Sequence, residues 1–191
     1  MLGATGPTGR LVVAQAREQG HEATAFGRAT HGDATDPAAV ARAIPGHDAV
    51  VSALGRRASF KSDHLIERSM RAIAPAMEHA GAQRLILVSA FGVGASRSEA
   101  PPIPRLMYRL LLSDIFADKL AAEDYLRGTR IEWTFVYPVL LTDGPRTGRY
   151  RAGEHLALRG LPKISRADVA DFILRELRDA AYVRKTAVLS Y

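Results

Sequence analysis

The chain opens with glycines spaced three residues apart, a pattern that can hold a phosphate group. They lie in the segment Gly3-Ala4-Thr5-Gly6-Pro7-Thr8-Gly9. We expect Gly3 to permit a tight turn after a strand, Gly6 to let backbone amides approach a pyrophosphate, and Gly9 to let a helix pack close to the sheet. The helix N-terminus would add free N–H groups, and Thr5 and Thr8 would add hydroxyl donors. The segment, Pro7 included, therefore predicts a nucleotide-binding turn.

Arg28 bears on which nucleotide would bind. It ends the predicted second strand, 19 positions after Gly9, where an acidic residue would hydrogen-bond the ribose hydroxyls of NAD. An arginine there suits the 2′-phosphate of NADP, because its planar guanidinium binds phosphate oxygens in pairs. We therefore predict NADP(H) in preference to NAD(H); the alternative is a solvated surface arginine.

The next turn, Gly32-Asp33-Ala34-Thr35-Asp36-Pro37, offers groups for an adenine ring. Asp33 could accept a hydrogen bond from the adenine amino group while Ala34 packs on the ring. The alternative for Asp33 is ordinary turn chemistry, which Asp36 also fits.

Composition excludes several classes of site and predicts a soluble globular protein. Of the 191 residues, 47% are hydrophobic and 24% are charged, and there is no cysteine, so disulfides and thiolate ligands are excluded. The net charge of +6 comes from scattered arginines, and we expect no nucleic-acid partner. No apolar run approaches the roughly 20 residues of a membrane helix, and the N-terminus does not resemble a signal peptide. We expect a cytoplasmic protein without a membrane or metal site, and leave monomer or dimer open.

Apolar, β-rich runs alternate with Ala- and Leu-rich helical patterns, as in a parallel sheet covered by helices. The predicted strands are His21–Phe26, Ala49–Leu54, Arg84–Ser89, Glu132–Tyr137 and Lys185–Leu189. The predicted helices are Leu11–Gln19 with Gly20 as C-cap, Pro37–Ile44 with Asp36 as N-cap, Leu65–Ala80, a helix carrying Lys119–Leu126, and Val169–Leu177. The sequence therefore predicts an α/β, Rossmann-like doubly wound parallel sheet in one domain over residues 1–191.

Two places are too short for a complete fold of this kind. The first strand would consist of Met1-Leu2 alone. Only residues 29–31 separate the second strand from the turn at Gly32, whereas a parallel crossover needs about 10 to 12 residues. We expect that residues are missing from the sequence at both places. The alternative is a trimmed sheet with a weakened adenosine side.

Several segments, in order over nearly the whole chain, resemble the atypical short-chain dehydrogenases. The likeness is greatest to the biliverdin reductase B (flavin reductase) group and its NmrA-like relatives. It is carried by GATGPTGR, GDATDP, VVSALGRR, LILVSAFG, WTFVYPVLLTDGP and ISRADVADFIL. The resemblance implies a Rossmann fold with NADPH lying across the carboxyl ends of the strands.

The resemblance also implies roles for individual residues. The glycine turn would hold the pyrophosphate, Arg28 the 2′-phosphate, and Asp33 with Ala34 the adenine. The remaining cofactor contacts would come from Leu54, Gly55, Arg57, Ser89, Lys119, Pro138 and Val139. Of these, Arg57 would close over the cofactor, Ser89 would lie beside the nicotinamide, and Pro138 with Val139 would meet the carboxamide through the backbone.

The chain departs from the short-chain dehydrogenases that use a Tyr-x-x-x-Lys pair. Those enzymes need a phenol one helical turn before the lysine, so that the ammonium lowers its pKa. Here Ile115 stands four positions before Lys119, and Tyr108 and Tyr125 are off that spacing. A tyrosine-based proton relay is not expected, and Lys119 replaces a histidine of the biliverdin reductase B group. Ser89 and Lys119 are the candidate catalytic residues.

These residues favour an NADPH-dependent reductase of a planar conjugated acceptor such as a flavin, bilin or quinone. Such acceptors stabilise the added charge themselves, so the protein need only orient two rings and exclude water. No dedicated acid is evident, and solvent could supply the proton. Residues 96–114 are a candidate lid over the acceptor; the alternative is a helix packed on the core.

Two other functions remain open at this point. One is a regulatory NADP(H)-binding protein without turnover, as the NmrA-like likeness allows. The other, less favoured, is a sugar-nucleotide epimerase or dehydratase, for which the tyrosine is absent and little chain remains after Tyr137 to build a substrate domain.

Overall fold

The computed structural model describes residues 1–55, 61–99 and 112–191 of the chain. Its strands are β1 (Ala49–Ser52), β2 (Arg84–Val88), β3 (Glu132–Pro138), β4 (Leu140–Thr142), β5 (Arg151–Gly153), β6 (Lys163–Ser165) and β7 (Lys185–Ser190). Its helices are α1 (Pro7–Glu18), α2 (Pro37–Ala43), α3 (Leu65–Ala80), α4 (Ser96–Glu99), α5 (Ser113–Arg127) and α6 (Arg166–Asp179).

The main sheet has five strands in the order β1-β2-β3-β7-β5. Neighbouring strands from β1 to β7 pair in parallel, and only β5 runs antiparallel to its neighbour. Every residue of β2 is buried, as expected for a strand covered on both faces. The parallel strands therefore all end along one side of the sheet, which we call the carboxyl edge. Their starting side is the amino edge.

Helices cover both faces of this sheet. Helix α1 packs on α6, while α3 packs on α5 and α2. The buried face of α3 carries Met70, Ile73 and Met77, none of which is exposed to solvent. The doubly wound α/β arrangement is the one that the sequence predicts. No helix in the described part of the chain is long and apolar enough to cross a membrane.

The first two predicted strands are reduced to single bridges. Leu2 pairs in parallel with Phe26 on one side and with Ser52 on the other. The prediction of a strand over His21–Phe26 is therefore wrong for all but its last residue. The reason is that the chain before the glycine turn offers only Leu2 as a ladder partner. Residues 27–31 turn at once, with His31 N–H donating to Gly27 O at 2.8 Å.

Helix positions agree with the predictions to within about one turn, with the largest difference at the start of α1. Helix α6 begins at Arg166 and not at Val169, and the C-cap of α1 is Gln19 and not Gly20. Helix α3 has the predicted ends, and Asp36 caps α2 by accepting from Ala38 N–H at 2.9 Å. Helix α1 begins at Pro7 and not at Leu11. Proline fits the first helical position because its φ is already helical and its missing N–H would have no partner there. The glycine turn and the helix therefore overlap.

After β3 the chain forms a small ribbon that the sequence does not predict. Strands β4 and β6 pair in parallel as a separate two-stranded sheet. The buried carboxylate of Asp168 on α6 accepts from the backbone N–H groups of Thr147 and Gly148 at 2.7 and 2.9 Å. These two bonds hold the loop between β4 and β5 against α6.

Candidate functional site

The sheet brings most of the predicted site residues to its carboxyl edge. Leu2 lies beside β1 and leads into the glycine turn, Leu54 and Gly55 follow β1, and Ser89 follows β2. Pro138 ends β3 and lies beside the segment after β2, because Phe91 N–H donates to Pro138 O at 3.1 Å. Neighbouring strands lie about 4.8 Å apart, so Ser89 is two strand spacings, roughly 10 Å, from the glycine turn.

Two glycines of the turn are required by close backbone contacts. Gly3 has a φ of +75°, and a Cβ there would lie 2.5 Å from Ala53 O, the carbonyl just beyond β1. A Cβ on Gly9 would overlap Gly3 O. Any larger residue at either position would push α1 and the turn away from the sheet. These contacts agree with the predicted roles of both glycines.

The N-terminus of α1 has no side-chain cap at this turn. Gly6 is the N-cap, and it supplies no side-chain cap, while Pro7 has no N–H to donate. The first N–H groups of a helix lack partners within it and carry the positive end of its dipole. Thr8 and Gly9, both buried, supply the next two N–H groups. Arg10 Nε donates to Thr5 O at 2.9 Å, which fixes the loop before the helix.

Arg28 and Asp33 form an ion pair on the surface. Arg28 Nη2 lies 3.2 Å from Asp33 Oδ2, and the Arg28 side chain is 80% exposed. Asp33 Oδ1 accepts from both the backbone N–H and the hydroxyl of Thr35, each at 2.9 Å. These bonds to Thr35 lower the pKa of Asp33. Ala34 is buried in the hydrophobic core.

At the carboxyl edge, the hydroxyl of Ser89 donates a hydrogen bond to a buried carboxylate. Ser89 Oγ lies 2.6 Å from Glu123 Oε1, and the Tyr137 hydroxyl donates to Glu123 Oε2, also at 2.6 Å. Arg127 Nη2 approaches Oε2 to 3.2 Å. The Glu123 side chain is 0% exposed. We call Glu123, Ser89, Tyr137 and Arg127 the Glu123 cluster.

The charges of this cluster are set by burial. Burial raises the pKa of Glu123, although Ser89 and Tyr137 oppose the rise by donating to its carboxylate. Burial, with the charge of Glu123, also raises the pKa of Tyr137. The phenol therefore stays protonated and keeps donating to Glu123.

Lys119 lies one helical turn before Glu123 on α5. Its Nζ donates to Val88 O at 3.2 Å, so the ammonium lies at the end of β2 next to Ser89. Burial lowers the pKa of Lys119 to about 8, although Glu123 and Asp118 oppose this shift. A lysine in this state still donates hydrogen bonds, and it can lose its proton close to neutral pH.

Helix α5 is fixed in place by two of its own carboxylates. Asp118 accepts from the N–H groups of Ile66 and Glu67 at 3.0 and 2.9 Å, which caps the start of α3 from outside. Asp114 accepts from Ser62 N–H at 2.6 Å. Because Lys119 and Glu123 lie on the same helix, these bonds also fix their positions.

The predicted backbone contact at the end of β3 is partly used within the protein. Val139 N–H donates to Leu189 O at 3.2 Å, and Pro138 O accepts from Phe91 N–H. Gly55 is exposed, and a Cβ there would meet nothing within 4 Å. Arg57 and residues 100–111 of the predicted lid lie outside the described residues, and their roles remain predictions.

Sequence reasoning passed over Glu123 and Tyr137. The missed signal is the Lys119-x-x-x-Glu123 spacing, which places both side chains on one face of a helix. Tyr125, the other tyrosine near that spacing, faces elsewhere, with Arg71 stacked 4.7 Å from its ring centre.

Comparison with known proteins agrees with this geometry. Residues 3–180 match the profile of the NAD(P)H-binding family. The chain belongs to this family. Its α/β fold, with a mostly parallel sheet in one domain, is that of Rossmann-like NAD(P)-binding proteins, as predicted from the sequence. The family match supports a nicotinamide cofactor and does not distinguish NADP(H) from NAD(H).

Individual proteins also match over nearly the full chain. YwnB of Bacillus subtilis (strain 168), an uncharacterized protein, is 30% identical over 196 residues, which is 93% of this chain and 90% of YwnB. A crystal structure from Burkholderia pseudomallei matches with a TM-score of 0.83 and 28% identity, over 100% of this chain and 97% of that chain. ChuY, an anaerobilin reductase from Escherichia coli O157:H7, shares the fold, with a TM-score of 0.80 and 22% identity over 98% of this chain and 94% of that one.

Proposed function

We propose that the protein is an NADPH-dependent reductase of a planar conjugated acceptor, such as a flavin, a bilin or a quinone. Its membership in the NAD(P)H-binding family supports the cofactor class. Among its structural neighbours, ChuY is an anaerobilin reductase, and a bilin is an acceptor of this chemical kind.

The observation that carries the proposal is the set of groups along the carboxyl edge. A helix N-terminus without a side-chain cap follows Gly6 at one end, and Ser89 and Lys119 lie beyond β1 at the end of β2. A dinucleotide needs this order, with donors for a pyrophosphate at a helix start and polar groups further along the same crevice. The residues present therefore fit a dinucleotide.

When bound, reduced nicotinamide supplies a hydride to the acceptor. The protein contributes position and electrostatics. The N–H groups of α1 bind the pyrophosphate, and the Lys119 ammonium donates to ribose hydroxyls. Ser89 orients the nicotinamide ring, and the apolar residues behind it exclude water. No tyrosine precedes Lys119 by one helical turn, so the chemistry suits an acceptor that needs no strong acid from the protein.

The preference for NADPH is assigned to Arg28. Its side chain is 80% exposed, and among the described residues it pairs with one oxygen of Asp33, which leaves most of its five N–H donors for a ligand. A 2′-phosphate would satisfy these donors, and a free ribose hydroxyl would not.

The second candidate function is an NADP(H)-binding regulatory protein without turnover. The observation that favours it is Ile115, which stands where many short-chain dehydrogenases have their catalytic tyrosine. Both functions predict that the protein binds NADPH, and only the reductase predicts that it oxidises NADPH in the presence of an acceptor.

The experiment is NADPH consumption with FMN as acceptor, followed by near-ultraviolet absorbance against a protein-free control. We expect protein-dependent oxidation that disappears in Gly6→Leu, since a side chain there would obstruct the pyrophosphate site. Gly128→Leu serves as a matched control, because Gly128 is exposed, has a φ of −79° that leucine also adopts, and lies at the end of α5, on the amino edge. NADPH binding without oxidation of any flavin, bilin or quinone would reject the reductase in favour of the regulatory protein.

A further inference from the structure

Glu123 is a buried carboxylate for which the proposed mechanism has no direct use. Its two oxygens accept from Ser89, Tyr137 and Arg127, at 2.6, 2.6 and 3.2 Å. Burying a carboxylate is costly, and the cost is offset only when nearby donors satisfy its lone pairs. Two of the three donors come from the strands that end at the carboxyl edge. The cluster therefore lies at the carboxyl edge, next to the position proposed for the nicotinamide.

The bond to the Glu123 carboxylate determines whether Ser89 can donate a hydrogen bond to a ligand or accept one from it. A serine hydroxyl has one hydrogen to donate and two lone pairs to accept with. Glu123 accepts from three donors through its two oxygens, which is the pattern of an ionised carboxylate, and an ionised carboxylate can only accept. The short bond to Oε1 therefore uses the single hydrogen of Ser89. What remains on Ser89 Oγ is acceptor capacity alone.

The polar N–H groups next to Ser89 are hydrogen-bond donors, whereas Ser89 Oγ is left as an acceptor. Val139 N–H is already bonded to Leu189 O, and the Lys119 ammonium, which only donates, contacts Val88 O. Within residues 1–55, 61–99 and 112–191, no side chain donates a hydrogen bond to Ser89 Oγ. A ligand donor that reaches this end of β2 therefore meets an acceptor fixed in orientation.

We propose that Glu123 is a positioning residue that holds Ser89 as a hydrogen-bond acceptor for the amino group of the nicotinamide carboxamide. The inference rests on the proposed function, in which the nicotinamide lies beside Ser89. It adds that the site distinguishes the carboxamide amino group, and that Ser89 does not protonate the acceptor. Tyr137 and Arg127 hold the far oxygen of Glu123 and so fix its rotation.

The test compares the dissociation constants of NADPH and of its acetylpyridine analogue, in which a methyl group replaces the carboxamide amino group. Calorimetry or protein fluorescence gives both constants without turnover. We expect the wild-type protein to bind NADPH about five- to tenfold more tightly, the equivalent of one neutral hydrogen bond. In Ser89→Ala this ratio should fall to about one.

Glu123→Gln tests whether the orientation of the Ser89 hydroxyl matters, in addition to its presence. The new amide oxygen should face Tyr137 and Arg127, which both donate, so the amide N–H₂ faces Ser89 and donates to it. Ser89 then keeps its hydroxyl but points its hydrogen at the ligand, and the ratio should again fall to about one. Tyr137→Phe removes one bond to the far oxygen of the carboxylate, but Arg127 still donates to that oxygen and the Ser89 bond stays intact, so this variant should keep the wild-type ratio. The double variant Ser89→Ala/Glu123→Gln should match Ser89→Ala.

A wild-type ratio in Glu123→Gln, or no preference for NADPH in the wild-type protein, would overturn the inference. If Glu123→Gln does not fold, Glu123→Asp replaces it, because the shorter side chain keeps the charge but moves away from Ser89. This variant should also lose the preference for NADPH over the analogue. If it keeps that preference, the inference is overturned. Binding with the expected ratios but no oxidation of any acceptor would reject the reductase and leave the role of Glu123 supported. Absence of NADPH binding would reject both.

Discussion

Two buried glutamates lie at opposite ends of the same sheet. Glu123 on α5 belongs to the carboxyl edge, where it accepts from Ser89 and Tyr137. Glu176 on α6 belongs to the amino edge, where it pairs with Arg84 at 2.7 Å and accepts from Tyr182 N–H at 2.8 Å. Both side chains are almost completely buried, at 0% and 2% exposed.

The two carboxylates differ in the kind of donors around them. Glu176 faces Arg84, whose side chain is only 10% exposed and whose guanidinium also donates to Thr134 Oγ1 and Glu132 O. That pair joins β2, β3 and α6, and the cavity that lies beside it is lined by Arg84 and Glu132 at the starts of their strands. The arginine near Glu123, Arg127, is 40% exposed, and the short bonds come from hydroxyl groups at strand ends. The amino-edge pair therefore stabilises the fold, and the carboxyl-edge cluster prepares a binding surface.

The largest effect on stability should come from breaking the amino-edge pair. Glu176→Gln leaves the Arg84 guanidinium buried without its counter-charge, which typically costs about 3–5 kcal/mol. Denaturant unfolding should show this loss, while NADPH affinity measured below the unfolding transition stays at its wild-type value. A loss below about 1 kcal/mol would mean that the pair is not structural.

Glu123→Gln should cost much less stability. Its neighbouring arginine is well exposed and can be solvated when the counter-charge is lost, and the buried carboxylate is itself disfavoured by desolvation, as its raised pKa shows. We expect a loss below about 1.5 kcal/mol in the same denaturant experiment. A loss equal to that of Glu176→Gln would remove the distinction between the two clusters.

The cation beside Glu123 should also make stability depend on pH. The pKa of Lys119 is about 8 in the folded protein, against an ordinary value of 10.5. Between these values the unfolded chain binds the extra proton, so the free energy of unfolding should rise as the pH increases from about 8 to 10. In Lys119→Met this rise should be absent. Lys185→Met, a change at an exposed lysine, should keep it; an identical pH profile for all three proteins would contradict the assignment.

The smallest effect on stability is expected at the surface pair of Arg28 and Asp33. Exposed ion pairs contribute about 0–1 kcal/mol, so Arg28→Asp should leave the unfolding free energy nearly unchanged. Its effect should appear in binding, as a loss of affinity for NADPH relative to NADH. Arg159→Asp makes the same charge change at another exposed arginine and should not alter the ratio. An unaltered ratio in Arg28→Asp would reject Arg28 as the 2′-phosphate ligand.

The parts of the fold predicted from sequence are those that local pattern determines. The glycine spacing predicts the turn, and the ends of α3 follow from its amphipathic pattern and from Gly81 in a left-handed conformation. The strand expected at His21–Phe26 is nearly absent because pairing depends on a partner, and Leu2 provides only one residue. Strands β4 and β6 are three residues each and have no periodicity to detect.

In the candidate site, too, only the residues within local sequence motifs could be predicted. Gly3, Gly9 and Ser89 are recognisable from motifs that are contiguous in sequence. Glu123 is not, because its partners Ser89 and Tyr137 lie 34 and 14 positions away and meet it only through the packing of α5 on the sheet. A buried carboxylate on a helix also looks, in sequence, like any solvated glutamate.

Amide hydrogen exchange of the wild-type protein with and without NADPH tests the central claim most directly, because it compares the two edges in one experiment. The account predicts added protection at residues 5–10, 53–55 and 89–92 on the carboxyl edge, with none at residues 82–84 and 128–132 on the amino edge. Protection confined to the amino edge, or no protection at a saturating concentration of NADPH, would contradict it.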